Sequence, residues 1–210
     1  MEILYNITIF PIVEIINFLF QFFSSAFEDI YFSIFIVSFF VNLICLPMYM
    51  AAEKIHDEEQ KIQEKINPQV KSIKKNFKGD ERFMMLNTLY RQNHYHPVMA
   101  FRKSINLLIQ IPFFTAAYLY FSNSAILQST NFINGLTLGQ PDGLLKIFGI
   151  SINILPVIMT IINIISAEIY AHKKPLKDRI QMYSFALIFL ILLYNSPAGL
   201  VIYWTFNNIF

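Results

Sequence analysis

The chain has 210 residues, of which 55% are hydrophobic and only 14% charged. Water-soluble domains run nearer about 45–50% apolar and about 25% charged, so this balance, with 22 Phe and 11 Tyr, marks an integral membrane protein. The net charge of +2 is uninformative as a total, and the single cysteine, Cys45, excludes an internal disulfide framework and a cysteine-rich metal site.

A helix needs roughly 20 apolar residues to span a bilayer, which leaves room for about five spans and one polar excursion. Residues 1–29 form the first segment. Glu2 stands where a signal peptide would carry basic residues, so a cleaved signal is not expected. Glu14, Asn17, Gln21, Ser24 or Ser25, and Glu28 recur at helical spacing on one face, with Phe18, Leu19, Phe22 and Phe23 elsewhere. That pattern predicts an amphipathic helix lying in the membrane interface and entered at Pro11; the alternative is a tilted extra span with a polar seam.

The first span is expected over 30–51 and ends near Pro47, with Ser38, Asn42, Cys45 and Tyr49 as a mildly polar stripe. Residues 52–103 hold 11 of the 16 basic residues, among them Lys54, Lys78, Arg82, Arg102 and Lys103, interleaved with acids. Lys78-Gly79-Asp80 reads as the turn of a helical hairpin, with Asp80 as N-cap of the second arm. Pro68 is expected to break the ascending arm, and His96-Pro97 to end the descending one. By the positive-inside rule the hairpin is cytoplasmic.

The remaining membrane core covers 104–210, with spans at about 104–122, 150–170, 181–194 and 197–210. Asn106 and Gln110 share one face of the second span, which also contains Pro112. The loop from 123 to 145 has no Lys or Arg and belongs outside, whereas Lys173, Lys174, Lys177 and Arg179 mark a second cytoplasmic loop. Asn153, Pro156, Thr160 and Asn163 recur along the third span, and Asn195-Ser196-Pro197 reads as a tight turn into the fifth. Both basic segments share a side only with five spans and the N-terminus outside. The fifth span is short at Phe210, so a further cytoplasmic tail is expected.

Each helix thus carries a polar stripe: Asn42, Asn106 with Gln110, Thr160 with Asn163, and Tyr203 with Asn207. Two readings stay open. Such groups hydrogen-bond across helices as packing glue, or they converge on a wetted groove. His94 and His96 lack a supporting Cys or carboxylate cluster, so no metal site is expected. Glu168, near Lys173 and Lys174, suggests an interfacial ion pair rather than a proton relay. The interleaved acids of the hairpin argue against direct nucleic-acid binding and leave anionic lipid, a ribosome or a partner protein. With no phosphate-binding glycine loop and no paired intramembrane carboxylates, neither an enzyme nor a cofactor is expected.

Several motifs carry a resemblance. Pro197-Ala198-Gly199-Leu200 leads into Tyr203-Trp204 and then Asn207-Asn208, and Asn153-Ile154-Leu155-Pro156 opens the third span. Leu108-Ile109-Gln110-Ile111-Pro112-Phe113-Phe114 lies in the second span, and Asn67-Pro68-Gln69-Val70-Lys71 with Leu89-Tyr90 in the hairpin. Together they resemble the YidC/Oxa/Alb family of membrane protein insertases over nearly the whole chain. The resemblance implies an all-α integral membrane fold: a five-transmembrane-helix insertase core with an outer-face amphipathic helix and a cytoplasmic helical hairpin. It implies a hydrophilic groove, open to cytoplasm and lipid, through which newly made membrane proteins enter the bilayer without nucleotide hydrolysis. Asn42, Asn106, Gln110, Thr160, Asn163, Tyr203 and Asn207 would line it, and Lys54, Lys78, Arg82, Arg102 and Lys103 would meet clients, a ribosome or the Sec translocon. A bacterial inner membrane is expected, since the N-terminus is unlike a transit peptide.

Two departures stand out. Asn42 occupies the position where the family usually has an arginine, and the junction from His96 to Asn106 is longer and more basic than usual. They suggest a divergent paralogue with a narrower client set. A scaffold holding one dedicated membrane partner is the alternative, and a small-solute or lipid transporter ranks below both because there is no inverted repeat.

Overall fold

The computed structural model describes residues 5–96, 105–133, 135–147, 149–171 and 176–209. It divides into two compact units, Met1–Ile44 with Pro112–Phe210, and Cys45–Ile111.

The larger unit opens with a wide π-type turn over Tyr5–Ile9 that leads into α1 (Phe10–Phe27). Pro11 lies in the first turn of α1, where its missing N–H costs no hydrogen bond. Ile16 and Phe20 are fully buried, and Phe20 sets its ring edge-on to Tyr120 and Phe121, at 5.7 and 5.8 Å between centroids. Gln21 donates to Asn17, whereas Phe18 and Phe22 stack on each other on the outside. The helical run from Tyr5 to Phe27 is long and apolar enough to cross a membrane, as is the next helix, α2 (Ile30–Asn76). Asp29 caps α2, its carboxylate accepting from the N–H groups of Tyr31 and Phe32.

Between α2 and α4 (Ile105–Asn123) lies α3 (Gly79–Gln92), and after α4 comes a short α5 (Ala125–Ser129). An antiparallel hairpin of β1 (Leu145–Ile147) and β2 (Ile150–Ile152) follows, pairing Lys146 with Ser151. The expected third span therefore starts five residues late. Residues 150–152 are strand, and α6 (Leu155–Ala171) begins only where Pro156 can sit in a first turn. Helix α7 (Leu176–Leu193) begins inside the segment expected as loop, and α8 (Ala198–Asn207) follows the turn at Pro197. Helix α6 packs against both α7 and α8.

Helix α8 is the buried axis of this unit. Ala198, Leu200, Val201, Tyr203 and Trp204 are all essentially inaccessible. Tyr203 lies 4.9 Å from the Phe121 ring, and Trp204 sits between Phe114 and Phe189 at 4.8 and 5.1 Å. Phe206 meets Phe35 of α2 edge-on at 5.2 Å. The first turn of α8 donates outward: Ala198 N–H to the Gln140 carbonyl at 2.8 Å, and Gly199 N–H to that of Leu138 at 2.9 Å. Those donors would otherwise be orphans of the helix start. Gly199 permits the approach, because a Cβ there would lie 2.9 Å from Leu127 Cδ1 and 3.3 Å from the Leu138 oxygen.

The smaller unit contains the second half of α2, α3 (Gly79–Gln92) and the start of α4. Two sequence expectations fail here. Helix α2 runs unbroken through Pro47 and Pro68. A proline inside a helix costs about 3 kcal/mol. Around Pro68 that cost is offset by Ile66 and Val70, which flank it and bury themselves against Leu89 of α3. Asp80 is likewise not the cap of α3. Gly79, in the left-handed region at φ 56°, already belongs to the helix, and Asp80 and Glu81 stand in its first turn, where acids suit the dipole.

The glycine contacts predict an order of damage. A Cβ at Gly139 would meet Gln128 backbone atoms at 2.9 and 3.1 Å, whereas at Gly199 its nearest contact is a movable leucine methyl. Gly139→Ala is expected to lower stability by about 1–3 kcal/mol and Gly199→Ala by less. Denaturant unfolding of detergent-solubilised protein measures both, and equal or negligible losses would refute the packing described.

Candidate functional site

The amides of Asn42 and Asn207 meet. Asn42 Nδ2 donates to Asn207 Oδ1 at 2.7 Å and to the Ser38 carbonyl of its own helix at 3.0 Å. Ser38, one turn earlier, is fully buried, and its hydroxyl has no hydrogen-bond partner. Asn163 Oδ1 on α6 and Trp204 Nε1 on α8 are also buried without a partner. Such atoms are costly in a dry interior and are ordinarily met by water.

The other expected lining residues divide. Thr160 is buried and turns back on its own helix, donating to the Pro156 carbonyl at 2.7 Å. Tyr203 is packed in the aromatic core. Gln110 is half-buried and belongs to the smaller unit, while the Asn106 side chain lies outside the described residues. Of the expected basic contacts, Lys54, Lys78 and Arg82 are exposed, and Arg102 and Lys103 lie outside the described residues. Lys54 borders an open depression of about 360 Å³ along α2, shared with Met50, Glu53, Asp57, Glu58 and Lys61.

Three polar clusters had partial signals in the sequence or none. Asn153 joins two segments: its Oδ1 accepts from Gly143 N–H at 3.0 Å, and its Nδ2 donates to the Tyr194 carbonyl at 2.7 Å. Beside it Asp142, almost fully buried, accepts from Ile154 N–H at 2.6 Å. Its signal was its isolation as the only charge between Asn123 and Leu145. Second, Glu168 does form an ion pair, but with Arg179, whose Nη2 reaches both carboxylate oxygens at 2.6 and 2.7 Å. Tyr183 also donates to Glu168, and Glu168 holds the Arg179 guanidinium above its ordinary pKa. Lys173 and Lys174, the expected partners, lie outside the described residues.

In the smaller unit Glu59 is 3% exposed and both its oxygens lack a hydrogen-bond partner. Gln63 donates to the Tyr95 hydroxyl at 3.2 Å, and burial pushes the Tyr95 phenol up. Nothing in the sequence separated Glu59 from the solvated acids around it. Among the described residues no group of three or more metal-ligating side chains occurs.

The exterior of the larger unit is as telling as its interior. Ile158, Ile161, Ile165 and Ile169 expose one face of α6, and Ile191 of α7 is 80% exposed. Inward polar groups and continuous outward apolar faces define a helical bundle built for a non-aqueous surround. Residues 22–210 match the 60Kd inner membrane protein family, and the chain belongs to that family, the YidC/Oxa insertases. It is 29% identical over 180 residues to the "Membrane protein insertase YidC" of Leptospira interrogans, covering 81% of this chain and 28% of the relative. To the protein of the same name from Aquifex aeolicus it is 30% identical over 181 residues, covering 85% and 33%. The chain thus spans about a third of these relatives' length. Its fold is similar, at TM-score 0.60 and 21% identity, to a crystal structure of active YidC insertase with the first transmembrane domain resolved. That likeness covers 98% of this chain and 44% of the other.

The amide pair predicts a measurable coupling. Interhelical hydrogen bonds of this kind contribute about 0.6 kcal/mol on average and rarely more than about 1.7. A double-mutant cycle on Asn42→Ala and Asn207→Ala, read by unfolding in detergent, is expected to return a coupling in that range, and a value near zero would refute the pairing.

Proposed function

We propose that this chain is a membrane protein insertase of a bacterial inner membrane, helping short polar segments of newly made proteins through a wetted intramembrane groove. One observation carries the groove: buried, partnerless polar atoms on α2, α6 and α8 within a bundle whose outer faces are apolar. Water reaching them would shorten the low-dielectric path that a polar client segment must cross. Burial of the client's own apolar helix then supplies the driving force, with no nucleotide and no covalent chemistry.

In this reading five spans cross the bilayer with the N-terminus outside, and the α2–α3 hairpin reaches into the cytoplasm with its basic residues. Exposed Lys54, Lys78 and Arg82 offer contacts to clients, a ribosome or the Sec translocon. Helix α1 lies along the outer interface; its exposed Phe18 and Phe22 suit the acyl boundary, and its exposed Glu14 and Gln21 suit the headgroups. The second reading, a scaffold holding one dedicated partner, is favoured by the amide pair, which already satisfies Asn42 without a client.

Depletion complementation tests the choice. The chain is expressed in bacteria deprived of their own insertase, and integration of a small single-span protein is followed by protease protection. Restored integration is the expected result. Stable membrane expression with no integration of any generic client would reject the insertase reading in favour of the scaffold.

A further inference from the structure

In the topology proposed above, the larger unit is electrically neutral at mid-depth and negative toward the outside. Counting along the helices at about 1.5 Å per residue, Asn42 lies about 18 Å from the start of α2, and Asn207 about 14 Å from the start of α8. The two amides meet, so on the insertase topology the pair sits near the middle of a hydrocarbon layer roughly 30 Å thick. Each amide satisfies the other, and no charge joins them. From the N-terminus to Lys54 the sequence has no Lys or Arg, and between Lys103 and His172 only Lys146. The remaining basic residues of this unit, from Lys173 to Arg179, cluster about the start of α7, where Arg179 is bound to Glu168. In the topology proposed above, exposed Glu14, Glu28 and Asp29 and buried Asp142 belong to the outer side, where among the described residues Lys146 is the one exposed amine.

The geometry points to a client class: translocated segments that are polar but uncharged, with acidic segments rejected. This rests on the insertase reading and goes beyond it. A carboxylate entering the unit meets no free cation at mid-depth to offset its desolvation, and then approaches an outer end of its own sign. A neutral segment of Asn, Ser, Thr and Gln meets neither obstacle. It can exchange hydrogen bonds with the Asn42 and Asn207 amides, which both donate and accept. Strongly basic segments are disfavoured independently, because the membrane potential opposes their outward transfer.

The test uses the whole chain reconstituted in vesicles of phosphatidylethanolamine and phosphatidylglycerol. The probes are two single-span proteins, identical except that two Asn of the translocated tail become Asp in one. Protease protection is expected to give about tenfold less insertion of the acidic tail. Any bilayer taxes a carboxylate, so the deciding readout is the change in that ratio when a cation is introduced. Asn42→Arg, and separately Asn207→Lys, should each shrink the ratio severalfold. Acidic and neutral tails inserted within twofold of each other by the unaltered chain would overturn the proposal, as would a ratio unmoved in both variants. Failure of the unaltered chain to insert even the neutral tail would instead sink the insertase reading beneath it.

Discussion

The N–H groups of Ala198 and Gly199 have no partner within α8, and Ser196, in the turn that precedes them, is buried. Their hydrogen bonds to the Gln140 and Leu138 carbonyls remove that liability, and the missing Cβ at Gly199 allows those carbonyls and Leu127 to come close. Once that turn is fastened, the direction of α8 is set. Its successive residues then meet α4 through Tyr203 and Trp204, α7 through Trp204, and α2 through Phe206 and Asn207. Asn153 and Asp142 fasten the same end from the other side, tying the loop to the start of α6 and to the turn at Tyr194.

The same constraint explains how polarity is distributed. Where backbone and side-chain groups are tied, as at the start of α6, a buried carboxylate such as Asp142 is tolerated because a backbone N–H meets it. The Glu168–Arg179 pair, partly exposed, joins the start of α7 to the end of α6. Deeper within the unit, along α2, α4, α6 and α8, the buried polar groups among the described residues are hydroxyls, an indole and amides, several of them without protein partners. A neutral polar group left for water costs far less than a charge in the same place. The interior is therefore polar without being charged.

Much of this was legible in the chain. The stripe spacing put Asn42 and Asn207 on inward faces, and the Pro-Ala-Gly-Leu and Asn-Ile-Leu-Pro motifs fell where α8 and α6 begin. What periodicity could not say is which stripe meets which. Asn42 and Asn207 are 165 residues apart, and Thr160 had the same pattern yet bonds its own helix. The break assigned to Pro68 failed for a related reason: local propensity favoured it, but Ile66 and Val70 bury against Leu89 on either side.

Composition and spacing by themselves determined that this is a helical protein with apolar outer faces, inward polar stripes and one charged excursion, because those features follow from one-dimensional periodicity and solvent preference. Only the tertiary structure decided that α2 continues through two prolines and that residues 145–152 form a strand pair. It also decided that Glu168 finds Arg179, and that two neutral amides close on each other in the interior. Each of those outcomes depends on a partner distant along the chain or across a turn, and a hydrogen bond or a buried contact has no energy until that partner arrives.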